Sequence, residues 1–186
     1  ILSIEEFINE LSGIEKATNI DLLFTFYKIY QEHTPEKEQN SLNQFLNWAP
    51  SLLQEFNEID VQLIDANLIF SFMGAIERIE EWDGKKLGDL GKQFFKFQER
   101  VLLYYSKLYK KLQSQQLGYS GLQYREAIQN LGHYIQSDYP FHYFVGFNAL
   151  TKAEEVIIQE LIAEERASIL WDLDKYFYKN SFHSAG

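Results

Sequence analysis

Apolar positions recur every three or four residues through most of the chain, the period of a helix with one buried side. Ile4, Phe7, Ile8 and Leu11 form the first stripe, with a capping box in Ser3 and Glu6 ahead of it and a stop at Ser12-Gly13. From about Asp21 the rhythm resumes with Leu22, Leu23, Phe26, Tyr27 and Tyr30. Residues 33–40, HTPEKEQN, are polar and read as a surface loop or poorly ordered linker. Ser41 and Gln44 cap a third helix on Leu42, Phe45, Leu46 and Ala49. Pro50 has no N–H to donate, so it either opens a new helix or kinks this one. Leu52, Leu53, Phe56, Ile59, Leu63, Ile64, Leu68, Ile69 and Phe72 extend the pattern until Trp82-Asp83-Gly84 breaks it, and Gly84, Gly88 and Gly91 predict an irregular stretch.

The longest helix is predicted from about Gln93 to Gln115. Phe94, Phe97, Val101, Tyr104, Tyr105, Leu108 and Leu112 fall on one side of it, and each, once buried, contributes roughly 1.5–3 kcal/mol. Leu117-Gly118 closes it, and a further helix from about Leu122 to Ile135 uses Ile128, Leu131 and Ile135. Pro140 then forces the chain extended.

Only from His142 to Tyr178 is a β pattern convincing. Phe144, Val145 and Phe147 make a short aromatic and β-branched run, in which Gly146 lets the backbone pass close to a neighbour. Thr151 and Glu154 form a capping box before Val156, Ile157, Leu161 and Ile162. Ile169, Leu170 and Leu173 return to a short apolar run, with Asp172 and Asp174 alternating out of it. Strand, helix, strand in this order predicts a βαβ unit with a right-handed crossover. The fold class expected is therefore mainly α: a bundle-like helical body over residues 1–139, followed by a small βαβ unit over 140–186. Two parallel strands do not make a stable sheet alone, since such sheets are covered on both faces. An open parallel edge also invites pairing, so cover by the helical body or by a second copy is expected.

Composition narrows the classes. At 186 residues there is room for one domain with a sizeable core. No run approaches the roughly 18 apolar residues of a membrane span. ILSIEEFINE carries acids where a signal peptide carries bases, so a cytoplasmic setting is expected, and the missing initial Met suggests an excised or processed segment. Without cysteine there are no disulfides, thiolate metal sites or cysteine nucleophiles. A net charge of −10 argues against a generally basic nucleic-acid binder, which makes any local basic patch informative.

One such patch exists. Lys92, Lys96, Arg100, Lys107, Lys110 and Lys111 stand on the long helix against a single acid, Glu99. That face could track a phosphate backbone by counterion release; the plainer reading is a solvated face balancing acids on neighbouring helices. Asp172 and Asp174 share one side of a strand near its carboxyl end, where Mg²⁺ and ligands of open α/β sheets gather, although a solvated strand end is the plainer reading. They support a weaker alternative, a metal-dependent hydrolase. No phosphate-binding G-x-x-x-x-G-K-[ST] loop occurs. Glu55, Glu58 and Asp60 in EFNEID read as a hydrated helix face more readily than as a metal site, and the four histidines have no ligand spacing, so no metal site is expected.

SLNQFLNWAPSLLQEFNEIDVQLIDANLIFSF and FVGFNALTKAEEVIIQEL, with WDLDKYFY behind them, resemble the helicase-like portion of AddB-type proteins. These are large helicase–nuclease chains with UvrD-like motor domains and a C-terminal PD-(D/E)XK nuclease domain, acting in DNA double-strand-break end processing and repair. The resemblance implies a helical insertion followed by part of the first motor domain. It matches Gly146, Phe147 and Glu154 to the stretch that replaces the Walker B strand, with Val145 where the acid would be, and Asp172 at the end of the next strand. A Walker B carboxylate holds Mg²⁺, so Val145 implies a degenerate motor here, even if the parent uses ATP and Mg²⁺. The nuclease core lies outside these residues. The expectation is a non-catalytic scaffold that guides DNA, with the rest of the parent chain or a helicase partner subunit as neighbours, no cofactor in this segment and no membrane. A homodimer through the exposed strand edge is a further partner this reading allows; the alternative is a free-standing helical protein–protein interaction module that binds a peptide or helix through an aromatic groove.

Overall fold

The computed structural model describes residues 1–70, 89–137, 140–147 and 149–172; of the side chains of residues 89–96, 98 and 99 nothing is described. The architecture is mainly helical with a small parallel strand pair after the helical body, as the periodicity predicts, and with a second two-residue pair that it does not. Helix α1 (Ile4–Ser12) is opened by the reciprocal Ser3–Glu6 capping box and ends at Gly13, whose φ of 67° is the left-handed conformation a helix stop requires. A two-residue strand, β1 (Glu15–Lys16), leads to α2 (Asn19–His33), which is capped by Thr18 and starts two residues ahead of the expected Asp21. Ser41 and Gln44 form the expected box before α3 (Leu42–Leu46), and α4 (Ala49–Val61) is a new helix with Pro50 in its first turn. Helix α5 is described over residues 66–70. Then come α6 (Asp89–Ser114), β2 (Leu117–Gly118), α7 (Ser120–Gln136), β3 (His142–Val145), α8 (Lys152–Ala163) and β4 (Ala167–Leu170).

The main core is aromatic. Phe26 and Phe45 are fully buried and sit with Trp48, Phe56 and Tyr104 in a set of mostly edge-on ring contacts, the arrangement favoured by the ring quadrupole. From α6, Val101, Tyr104, Tyr105, Leu108 and Leu112 are buried here, as their spacing predicts. A second core joins Phe7, Ile8 and Leu11 of α1 and Tyr124, Ala127 and Leu131 of α7 to Phe144, Ile157, Ile158 and Leu161 of the βαβ unit. The terminal unit is thus held to the body through one face, with α7 between α1, α4 and α8.

Strands β3 and β4 are parallel, His142 opposite Ala167 through Val145 opposite Leu170, with α8 as the crossover. Among the described residues no third strand joins them.

Several expectations are corrected. Of the two readings of residues 33–40 the surface loop holds, and the loop is a structured one: His33 ends α2, a 3-10 turn spans Glu36–Glu38, the Gln39 amide donates to the carbonyls of Gln31 and Thr34, and the buried Thr34 hydroxyl lies 2.6 Å from that of Tyr104. Polar composition misleads there because the side chains are spent on local backbone groups. Gly91 lies inside α6, not in an irregular stretch, since the helix begins at Asp89. Leu117-Gly118 is a strand parallel to β1, beyond the end of α6 at Ser114, with Glu15 N–H donating to the carbonyl of Gln116 and Ala17 N–H to that of Gly118. Of the residues read on α8, Ile157 and Leu161 are buried, whereas Ile158 takes the inward place given to Ile162, which is exposed. Phe72, Trp82-Asp83-Gly84, Gly88, Tyr139, Leu173 and Tyr178 lie outside the described residues.

Candidate functional site

Helix α6 buries one stripe and turns the other outward. Lys107, Lys110 and Lys111, spaced three and four apart, share the exposed side. Among the described residues no carboxylate approaches any of them to ion-pair distance. Arg100 differs: its guanidinium meets Glu38 at 2.6 Å and ties α6 to the turn after α2. Lys92 and Lys96 lie in the same helix, with side chains outside the description.

Beside the lysines runs an open groove of about 490 Å³ between residues 63–67, α6 and α7, with Lys110 at one wall and Arg125 and Gln129 at the other. Tyr109 lines it and donates to Glu126 at 2.8 Å. Burial, and then the Glu126 carboxylate, push this phenol up to about 12.

Under the groove lies a buried polar cluster that sequence reasoning missed. Asp60 is fully buried. The hydroxyl of Tyr105 donates to Oδ1 and that of Tyr119 to Oδ2, each at 2.5 Å, and Arg125 Nε binds Oδ1. Arg125 also donates to the carbonyls of Ile59 at 3.2 Å and Ile64 at 2.5 Å. Burial first, then the neighbouring carboxylate, raise the pKa values of both tyrosines. The carboxylate is saturated by donors, which suits an anchor joining α4, α6 and α7 better than a proton-transfer group. Glu55 and Glu58 are exposed as expected, so EFNEID is two hydrated acids and one interior one. The only local hint was Asp60 four residues, one helical turn, after the core residue Phe56.

At the carboxyl end of β3, Val145 is exposed and Phe147 packs toward Phe144 with ring centres 6.3 Å apart. Gly146 adopts φ of 84°, which itself calls for glycine, and among the described residues nothing stands within 4 Å of where a Cβ would be, so the expected close approach is not found there. Glu154 accepts Thr151 N–H with one oxygen and the Tyr124 hydroxyl with the other, both at 2.8 Å. This carboxylate pins the start of α8 to α7 and has no oxygen turned toward a ligand. Asp172 is exposed two residues beyond β4, and Asp174 lies outside the described residues. Among the described residues no group of three or more His, Asp or Glu could hold a metal ion, and no helix is long and apolar enough to cross a membrane.

No protein-family model, curated protein or solved structure matches this chain.

Proposed function

We propose that this chain is a non-catalytic, DNA-guiding segment of a larger AddB-like helicase–nuclease, a helical insertion with part of the first motor domain, working in the cytoplasm on the repair of double-strand breaks. The observation that carries the reading is the exposed side of α6, where Lys107, Lys110 and Lys111 stand without carboxylate partners among the described residues of a chain with a net charge of −10. Cations left unneutralised in so acidic a chain suit a phosphate backbone, whose binding is driven by release of condensed counterions. The βαβ order after the helical body is consistent with the same reading, and the engagement of Glu154 in capping agrees with a silent motor motif.

Duplex and single-stranded DNA binding, measured by fluorescence anisotropy from low to high salt, tests it. Affinity should fall with salt. Replacing Lys107, Lys110 and Lys111 together by alanine should flatten the slope of log K against log salt by up to about 2.7 for duplex. No affinity at low salt, or a slope the triple variant leaves unchanged, overturns the DNA-guiding role. A second reading, a protein-interaction module, is favoured by a separate observation, the exposure of Tyr143, Val145 and Leu170 on β3 and β4.

A further inference from the structure

Gln123 on α7 is 5% exposed, and both hydrogens of its Nε2 are spent, one on Asn9 Oδ1 at 2.8 Å and one on the Ile14 carbonyl at 3.0 Å. A carbonyl can only accept, so Ile14 fixes which end of the amide is nitrogen. The other end, Oε1, meets no donor among the described residues. Every enclosed side-chain polar atom of those residues has a partner, so an unpaired Oε1 faces open space. The space that Gln123 lines is a pocket of about 340 Å³ between α1, β1 and the first turns of α7.

Three acids of α1, Glu5, Glu6 and Glu10, share this lining against one base, Lys16. Glu5 and Glu6 suit the amino end of a helix. Glu10 stands in the last turn, where the helix dipole disfavours an acid, and it repels Glu6 one turn back. Among the described residues no ion pair relieves any of the three. Nor do they converge as metal ligands, since no three carboxylates of those residues could hold one ion. A buried, unpaired acceptor beside dispersed negative charge suits an organic cation whose donors point several ways. We propose that this pocket binds an alkylguanidinium, the head group of an arginine, with Gln123 Oε1 taking one N–H and the α1 carboxylates the others. A guanidinium carries its donors in a fixed planar fork and is more weakly hydrated than an ammonium, so it loses less on entering a partly apolar site. Its aliphatic stem has Leu2 and Ile8 to lie along. The volume is at the small end of ligand sites, room for one such side chain and not for a folded segment. The pocket shares no residue with the exposed lysines of α6, so the inference stands apart from DNA binding.

The test titrates the full chain with N-acetyl-arginine amide, its lysine counterpart and its neutral citrulline counterpart at low salt, by calorimetry and by ¹H–¹⁵N spectra. Arginine should bind more tightly than lysine and about tenfold or more tighter than citrulline, a difference of roughly 1.4 kcal/mol. It should also shift the Gln123 side-chain amide resonances. Glu10→Gln should weaken arginine binding severalfold and Lys16→Gln should strengthen it, while alanines at Lys107, Lys110 and Lys111 leave it unchanged. Gln123→Met should abolish it. That variant also frees Asn9 and the Ile14 carbonyl, so if it unfolds, the opposite signs at Glu10 and Lys16, both exposed, carry the test. A tripeptide with a central arginine separates the sources: equal binding makes a free guanidino compound sufficient, a gain of tenfold or more makes an arginine of a partner chain the ligand, and both keep the site. No binding of the arginine probe overturns the proposal. So does citrulline or lysine binding as tightly as arginine, Gln123 resonances that stay still, or affinity indifferent to Glu10→Gln and Lys16→Gln.

Discussion

The carboxylate of Asp60 accepts the hydroxyl of Tyr119 at 2.5 Å although the two residues lie 59 positions apart. Asp60 is in the last turn of α4, Tyr119 stands immediately before α7, and Tyr105 on α6 reaches the same carboxylate. Three helices therefore converge on one acid. Asp60→Ala should cost about 3–5 kcal/mol, because it strands the Arg125 guanidinium and two phenols. Tyr119→Phe, which removes one donor, should cost about 1–2 kcal/mol. Urea unfolding of the variants checks both; equal costs would mean that the acid is not the hub.

Gly121 lies in the first turn of α7, where alanine would ordinarily favour the helix by roughly 0.5–1 kcal/mol. Here the sign should reverse. A Cβ would meet the Asn57 carbonyl oxygen at 2.5 Å and the Asp60 Cβ at 2.8 Å, and backbone cannot swing aside. Gly121→Ala should destabilise by about 1–3 kcal/mol, the usual cost of overpacking, in the same unfolding assay. Gly132→Ala, where none of the described residues stands within 4 Å, is the control that should stabilise.

Glu154→Ala should cost about 1–3 kcal/mol by removing the Thr151 capping partner and the acceptor for Tyr124. Tyr124→Phe should cost less, since the cap remains. Hydrogen exchange of the first α8 amides separates the two: only the glutamate variant should accelerate them.

His142 rests between Phe7 and Tyr134, with Nε2 2.8 Å from the Tyr134 hydroxyl, and burial lowers its pKa below the usual 6.5. The folded state thus disfavours the imidazolium. Stability from this site is complete above the unfolded value and is lost as pH falls through it toward the lower folded value. Thermal unfolding between about pH 7 and 5 should show a decline that His142→Gln makes shallower.

What could be read from the chain alone was what local contacts decide. The boxes at Ser3 and Glu6, Ser41 and Gln44, and Thr151 and Glu154 each close within three residues, so the letters that define them also form them. The buried stripe of α6 was legible for the same reason, as was the strand–helix–strand order after Pro140. Asp60 was not, because its partners lie 45, 59 and 65 residues away and its one local mark, a turn's spacing from Phe56, does not distinguish an interior acid. The β1–β2 pair was equally hidden: two residues on each side cannot set up a period of two. Of the basic patch, sequence gave the whole row, whereas geometry separated Arg100, held by Glu38, from the three lysines left to solvent.

Helix α1 leans chiefly on α7, and the Gln123 amide reaches back to Asn9 across 114 positions. At roughly 5–20 residues per second, a ribosome leaves that first helix waiting about 6–23 seconds for the surface it must cover. Until then the α7 side of Phe7, Ile8 and Leu11 has no cover, and that interval of synthesis is when this segment most invites a chaperone's hold.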